Sequence, residues 1–249
     1  MKFSIITVAY NSEATIRGTV ESIAGQSYKN YEHLVIDGAS TDQTVNVVQN
    51  LSTSQLRLIS EPDNGLYDAM NKGIRYAAGE IIGILNSDDF YVHSNVLSEV
   101  ANAFSLDPSL DVVLGDVDFV ESSNVSKPVR IYRAKGFKPW MFRFGLMPPH
   151  PAVFVRKSAY ERVGNYKLGY KIAADFDLLV RLLSISGAKY SIAGQHWVRM
   201  RIGGASTTGW RSNFIITREM QRSLKENNIF SCIPMLLIRL PIKFIGQIL

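Results

Sequence analysis

The chain has 249 residues, 46% apolar and 20% charged, with 27 Lys and Arg against 22 Asp and Glu and a net charge of +5. These values exclude a disordered chain and an ordinary membrane bundle, and leave room for one large domain or two small ones. The basic excess suits an anionic partner, but its scatter through the first 220 residues argues against nucleic acid, and the single Cys232 excludes an internal disulfide or a cysteine metal site and fits a reducing compartment.

Phe3 to Val8 predicts a buried strand, too short for a secretion signal because Asn11, Ser12 and Glu13 follow at once. Ser12 can cap a helix from Glu13 to Gly25, with Ile16, Val20 and Ile23 on its inner face. His33 to Ile36 is a second strand, Asp42 can cap a second helix, and Leu56 to Ile59 is a third strand. After the turn Asp63-Asn64-Gly65, Leu66 to Ala78 reads as a helix closed by Gly79, and Glu80 to Leu85 as a fourth strand. Asn95 to Phe104 is helical; Val112 to Leu114 and Val117 to Val120 are strands. Residues 121–150 lack periodicity and predict an irregular, mobile segment. Pro151 to Val155 returns to strand, and Phe176 to Leu183 to helix. The alternation implies an α/β fold, a mostly parallel sheet with helices on both faces, whose ligands sit beyond the carboxyl ends of the strands.

Four segments follow those strands. They are Thr7-Val8-Ala9-Tyr10-Asn11, Asp37-Gly38-Ala39-Ser40-Thr41-Asp42, Glu61 to Gly73, and Asn86-Ser87-Asp88-Asp89. On a parallel sheet they converge on one crevice and supply small residues, carboxylates and one ammonium, Lys72. Adjacent carboxylates after an apolar strand are costly unless a positive charge lies between them. Mg or Mn takes one or two carboxylates plus substrate phosphates. Asp88 or Asp89 can hold such an ion against a diphosphate, or can simply cap the next helix. Asp37 can accept the imide N–H of a uracil, or serve an ordinary Asp-Gly turn. Thr7 and Tyr10 can flank the base, and Asn11 can steady the loop.

Together these segments resemble the family 2 glycosyltransferases of the GT-A fold. Ser4 to Asn11 is similar to that family's first strand, Val35 to Asp42 to its second motif, and Asn86 to Asp89 to its metal-binding Asp-x-Asp variant. The likeness is close over residues 3–90 and looser to about 208. Glu61 to Gly73 further resembles a bacterial branch acting in exopolysaccharide, colanic acid-like and lipopolysaccharide assembly. The resemblance implies an inverting glycosyltransferase of the hexosyltransferase class, with a nucleotide-sugar donor (a UDP-sugar), a divalent metal, and a glycan or polyprenyl-linked acceptor. It implies Asp89 as the direct metal ligand and Asp88 toward the ribose or sugar. Thr7, Ala9, Tyr10, Asn11, Asp37, Asp63, Gly65, Lys72, Asn86, Ser87, Asp88 and Arg201 become the candidate nucleotide contacts.

Inversion needs one base opposite the leaving group. The candidates lie in Ala173-Ala174-Asp175-Phe176-Asp177, where two residues apart on a helix point about 200° apart, so only one Asp faces the site. Asp175 matches the family's Asp, while Ala174 stands where a Glu is usual. Asp175 can act as base or as a plain N-cap; Asp177 is expected to pair with Arg181 on the outer face. His150, in Pro148 to Ala152, can shape the acceptor pocket or sit in a turn. The run Arg199 to Ser206 resembles a late loop in which Arg201 clamps a diphosphate, and His196 is either a third metal ligand or a packed histidine.

The expected division is a nucleotide-sugar half (1–115), an acceptor half (116–225) and a C-terminal segment (226–249). In 229–249, Leu236, Leu240, Phe244 and Ile248 fall on one helical side and Arg239, Lys243 and Gln247 on another. Two prolines and two charges rule out a span. The pattern fits a basic amphipathic helix on a bilayer surface, and equally a helix docked on the protein's own core or in a homodimer. The membrane reading places the protein in the cytoplasm, peripheral on the inner face of the plasma membrane, and makes deletion of 229–249 release it. Among rivals, a methyltransferase needs more glycine after Asp37-Gly38, a nucleotidyltransferase needs a Gly-rich basic loop after Val8, and a non-catalytic donor-binding scaffold is distinguished by whether Asp175 matters.

Overall fold

The computed structural model describes all residues except 52, 204–208 and 242–249. Strands β1 (Phe3–Ala9), β2 (Tyr31–Asp37), β3 (Leu56–Ser60) and β4 (Ile81–Ile84) form a parallel sheet in the order β3-β2-β1-β4. β1 is buried along its whole length, as an apolar run without polar alternation requires. Its side chains divide by the strand period: Ile6 and Val8 join one core, Phe3 and Ile5 the other. Helices α1 (Ile16–Ala24), α2 (Thr44–Asn50) and α3 (Leu66–Tyr76) connect these strands. α3 packs tightly on β1 because position 73 is glycine; a Cβ there would lie 2.4 Å from Ile6 Cγ2.

The second half continues the same sheet. The short β5 (Phe90–Tyr91) and α4 (Val96–Leu106) lead to β6 (Val112–Glu121), one continuous strand with an irregularity near Gly115 rather than two. β8 (Val153–Arg156) runs antiparallel to both β4 and β6, and β9 (Tyr190–Arg201) lies parallel to β6 and antiparallel to β5. The boundary expected at 115/116 falls inside β6, so both halves share one nine-stranded sheet.

Residues 121–150 are more ordered than their sequence suggests. β7 (Asn124–Tyr132) returns as a hairpin on β6, followed by a 3-10 turn over Pro139–Phe144. Pro128 and mixed polarity hid this strand, and both are tolerated because β7 pairs on one side only. β9 was hidden likewise: only Trp197 and Val198 in it are fully buried, so the expected loop at 199–201 is strand.

α5 (Lys157–Val163), α6 (Ala174–Val180), α7 (Gly209–Glu226) and α8 (Ile233–Leu237) complete the chain. α6 passes into a π-turn over Arg181–Ile185. Asp177 does pair with Arg181 (2.8 Å), but in the interior, not on the outer face. The fully buried carboxylate also accepts from Lys167, Ser223 and Asn227, while Arg181 donates to the carbonyls of Val163, Gly164 and Asn165. No helix among the described residues is long and apolar enough to cross a membrane.

Candidate active site

The carboxyl ends of β1, β2, β3 and β4 open on one crevice, and the first-strand loop is wired to the second. The Asn11 side chain accepts the Thr41 N–H (2.9 Å), its own N–H donates to Ser40 Oγ (2.8 Å), and both Asn11 and Ala39 have positive φ. A left-handed alanine is uncommon and is held there by the surrounding bonds. Tyr10 stands beside this loop 63% exposed, free to lie against a base.

Several expected contacts are instead structural. Thr7 is fully buried and bonded to His33 Nε2 (2.9 Å), whose pKa burial pushes down to about 3, so this pair braces β1 on β2 and cannot flank a ligand. Asp37 is also fully buried. Its carboxylate accepts the Ser40 N–H (3.0 Å), the Ser40 hydroxyl (2.5 Å) and the Ser60 hydroxyl (2.7 Å), and a uracil reaches it only if that cage opens. Ala9 is buried and contributes its carbonyl to Gly38. Lys72 donates to Pro62 O (2.6 Å) and pairs with Glu61 (3.0 Å), tying down the loop before α3 rather than offering a free ammonium.

Asp63 is partly open. One oxygen accepts the Gly65 N–H (2.8 Å), and Gly65, at φ 103°, turns the chain into α3. The other lies where a Cβ on Gly38 would come within 2.5 Å, so a side chain at position 38 would displace the Asp63 carboxylate. Gly38→Ala is expected to push Asp63 aside, at a strain of about 1–3 kcal/mol, and to weaken donor-nucleotide binding roughly tenfold. Titration with UDP checks this; an unchanged affinity would remove Asp63 from the donor site.

The acidic turn is gathered by α1. The Thr19 hydroxyl, fully buried, lies 3.0 Å from Ser87 O and 2.7 Å from Asp89 O, and Ser12 Oγ meets Ser87 Oγ at 2.8 Å. Ser12 is therefore a site tether, not a side-chain cap, and nothing in the sequence around Thr19 marks its role. Arg201 donates to Asp88 O and spreads over the Phe90 ring (4.8 Å), because β5 pairs with the end of β9. Gly204, Ala205 and Ser206 lie outside the described residues.

The two carboxylates are unequal. Asp89 is fully enclosed: one oxygen takes the Asn86 amide (3.2 Å), and Oδ1 has no partner, nor has Asn86 Oδ1. Burial, and then Asp88, push the Asp89 pKa well up. Asp88 is partly exposed and also raised by burial, with Arg201 pulling the other way. In this arrangement Asp88 is the more exposed of the two, while Asp89 carries the unpartnered oxygen. An unpartnered buried carboxylate oxygen beside a second carboxylate is a deficit of positive charge, so the turn fits a divalent cation shared with a diphosphate. Among the described residues no group of three or more His, Cys, Asp or Glu forms a ready-made cage. His196 is held by Asp118 (2.5 Å) on β6, not by the acidic turn.

Asp175 lies near Tyr67, Tyr132, Tyr166 and His150, all of which feel its charge. Tyr67, the second residue of α3, donates to Ile172 O and stacks on Tyr166 (5.6 Å), whose hydroxyl meets His150 Nε2 at 2.6 Å. His150 sits in a 3-10 turn before β8, and burial lowers its pKa against the pull of Asp175. Asp175 is not the helix cap: α6 starts at Ala174, and one Asp175 oxygen accepts only the adjacent Phe176 N–H (2.8 Å). The donors ahead of α6 are met from α7, where Glu219 accepts the N–H groups of Lys171 (2.6 Å), Ile172 (3.0 Å) and Ala173 (2.9 Å). Burial raises the Asp175 pKa, which makes it a stronger base than an open carboxylate.

A mostly parallel sheet with an acidic turn after its fourth strand is the arrangement the resemblance to the GT-A glycosyltransferases implied. Residues 4–164 match the family model described as Glycosyl transferase family 2, and the chain belongs to that family. It is 32% identical over 183 residues, 72% of this chain and 67% of the relative, to an uncharacterized glycosyltransferase of Mycobacterium tuberculosis. It is 31% identical over 123 residues, 49% of this chain and 48% of the relative, to the UDP-Glc:alpha-D-GlcNAc-diphosphoundecaprenol beta-1,3-glucosyltransferase WfgD of Escherichia coli. The fold is similar to that of the mannosyltransferase PcManGT from Pyrobaculum calidifontis in complex with GDP-Man and Mn2+, with a TM-score of 0.69, 18% identity, and 99% of this chain and 73% of that one covered.

Proposed function

We propose that the protein transfers a sugar, with inversion, from a UDP-sugar to a lipid-linked glycan in bacterial surface polysaccharide assembly, working at the inner face of the plasma membrane. The observation that supports the chemistry is the acidic turn after β4, where Asp88 adjoins Asp89, whose buried Oδ1 has no partner; Asp175, whose pKa burial raises, is taken as the base on the acceptor side. Tyr10 lies against the base, Asp63 and Asp88 face the ribose and sugar, and Arg201 meets the diphosphate. Asp88, backed by Asp89, would hold Mg or Mn, which when bound neutralises charge on the leaving diphosphate. Asp175 takes the proton from the acceptor hydroxyl, whose oxygen bonds to the anomeric carbon as the bond to the diphosphate oxygen breaks. The UDP donor and lipid-linked acceptor draw support from what the name of WfgD says of that relative.

Thermal shift with UDP, GDP, CMP and dTDP, with and without Mn, tests the reading. A diphosphate at about a hundred times its Kd adds about 2.7 kcal/mol, or roughly 5–10 °C for a chain of this size. The shift is expected with UDP, to require Mn, and to vanish in Asp88→Asn. No shift with any nucleotide would refute the proposal.

A further inference from the structure

The C-terminal segment sits in a different rotation from the one its sequence suggests. Leu236 and Arg239 both turn inward and are buried. The Arg239 guanidinium is accommodated by Leu236 O (3.0 Å), Asn213 O (3.3 Å) and Thr217 Oγ1 (3.0 Å). Ile233, Leu237 and Ile238 are consequently left exposed, so the outer face of α8 is apolar rather than basic. Lys243, Phe244, Gln247 and Ile248 lie outside the described residues.

This face is continuous with two others. Ser231 donates to Arg143 O (2.6 Å), joining the approach to α8 to the Pro139–Phe144 turn, where Trp140 is 56% exposed between the exposed Lys138 and Arg143. Phe230, 71% exposed, forms one wall of a groove of about 740 Å³ whose other wall is α7. Arg218, Arg222 and Lys225 line that groove at helical spacing. Its two acids are already engaged: Glu219 by the backbone of residues 171–173, and Glu226 by Lys167 and Arg222. Three cations against two carboxylates leave the groove with a single excess positive charge, to which the exposed Lys138 and Arg143 add beside an apolar crest that no described element covers.

We infer that α8, the Trp140 turn and the α7 groove form a docking face for an anionic phospholipid bilayer, with Trp140 and the α8 crest entering the headgroup–acyl boundary and the groove holding lipid phosphates. An apolar crest beside basic side chains is what an interfacial surface requires. A symmetric second copy is disfavoured, because it would bring the same cations against themselves. Glu219 lies on α7 and accepts from the backbone just before Asp175, which ties this face to the proposed base. The inference deepens the membrane location proposed above and relies on it only for the choice of partner.

Deleting 229–249 would strip Leu236 and Arg239 from the core, so exposed positions give the sharper test. The full chain is sedimented with vesicles of phosphatidylcholine alone or with about a third phosphatidylglycerol, and each surface charge reversal is expected to weaken binding by about fivefold or more. Wild type should bind the phosphatidylglycerol vesicles and lose that binding as salt rises. Trp140→Ser with Ile233→Ser, and separately Arg218→Glu with Lys225→Glu, should stay in the supernatant with unchanged thermal midpoint and UDP affinity. Wild type remaining soluble with both vesicles, variants that bind as wild type, or a concentration-dependent dimer through this face would overturn the inference. Loss of UDP binding with vesicle binding intact would instead count against the proposed function.

Discussion

Asp175→Asn is expected to lower turnover by about 10²–10⁴-fold while leaving UDP affinity within about twofold, because it removes the base and touches no donor contact. The amide keeps the shape of the carboxylate and can still accept the Phe176 N–H, so α6 should form as before. The pH profile carries a second signature. Burial raises the Asp175 pKa in the folded protein, partly offset by His150. The base is active only when ionised, so the acid limb of kcat/KM should lie above the ordinary carboxylate range, with activity lost as pH falls through that raised value. The same shift bears on stability with the opposite sign. The fold disfavours the charged form, so the Asp175 contribution worsens as pH rises from the unfolded value through the folded one, and Asp175→Asn should be neutral or slightly stabilising at neutral pH. Steady-state kinetics with a thermal melt tests all three points; turnover unaffected by the substitution would remove Asp175 from the mechanism.

Asp177→Ala is expected to be the most damaging substitution for stability, at about 3–5 kcal/mol, because it strands a buried guanidinium. Arg181 loses its only carboxylate in the interior, and Lys167, Ser223 and Asn227 lose the acceptor that joins the 163–167 loop, α6 and α7. For a chain of this size that corresponds to a fall in Tm of roughly 6–20 °C, measurable by calorimetry. Asp177→Asn should fall between, since it keeps an acceptor oxygen without the charge. Two carboxylates two residues apart on one helix thus differ in setting: Asp175 is partly exposed and is the proposed base, while Asp177 is enclosed and holds the helix in place. A melt unchanged by Asp177→Ala would show that the network adds nothing beyond its desolvation cost.

The first half of the fold was legible because its strands are short apolar runs followed by turn residues. Phe3–Ala9, Tyr31–Asp37 and Ile81–Ile84 are buried on both faces, and such strands advertise themselves by composition alone. The second half was less legible for the converse reason. β7 is an edge strand with Pro128, and β9 is partly solvated and carries Gly194, so neither shows a clean period. Their pairing with β6 comes from contacts remote in sequence, which no local pattern encodes.

By itself, the sequence determined the class of protein through the resemblance of four segments, ending in Asn11, Asp42, Gly73 and Asp89, to the family 2 glycosyltransferases, and the parallel strand order placed those segments at one edge of the sheet. Which of those residues is open to a ligand was decided only by the tertiary structure. Burial is a property of what packs around a side chain, so Thr7 and Asp37 were drawn into the sheet and its loop, Lys72 was engaged by Glu61 and Pro62, and Asp89 was enclosed while Asp88 stayed partly exposed. The same holds near the other end of the chain, where Leu236 and Arg239 both pack inward and leave Ile233, Leu237 and Ile238 exposed.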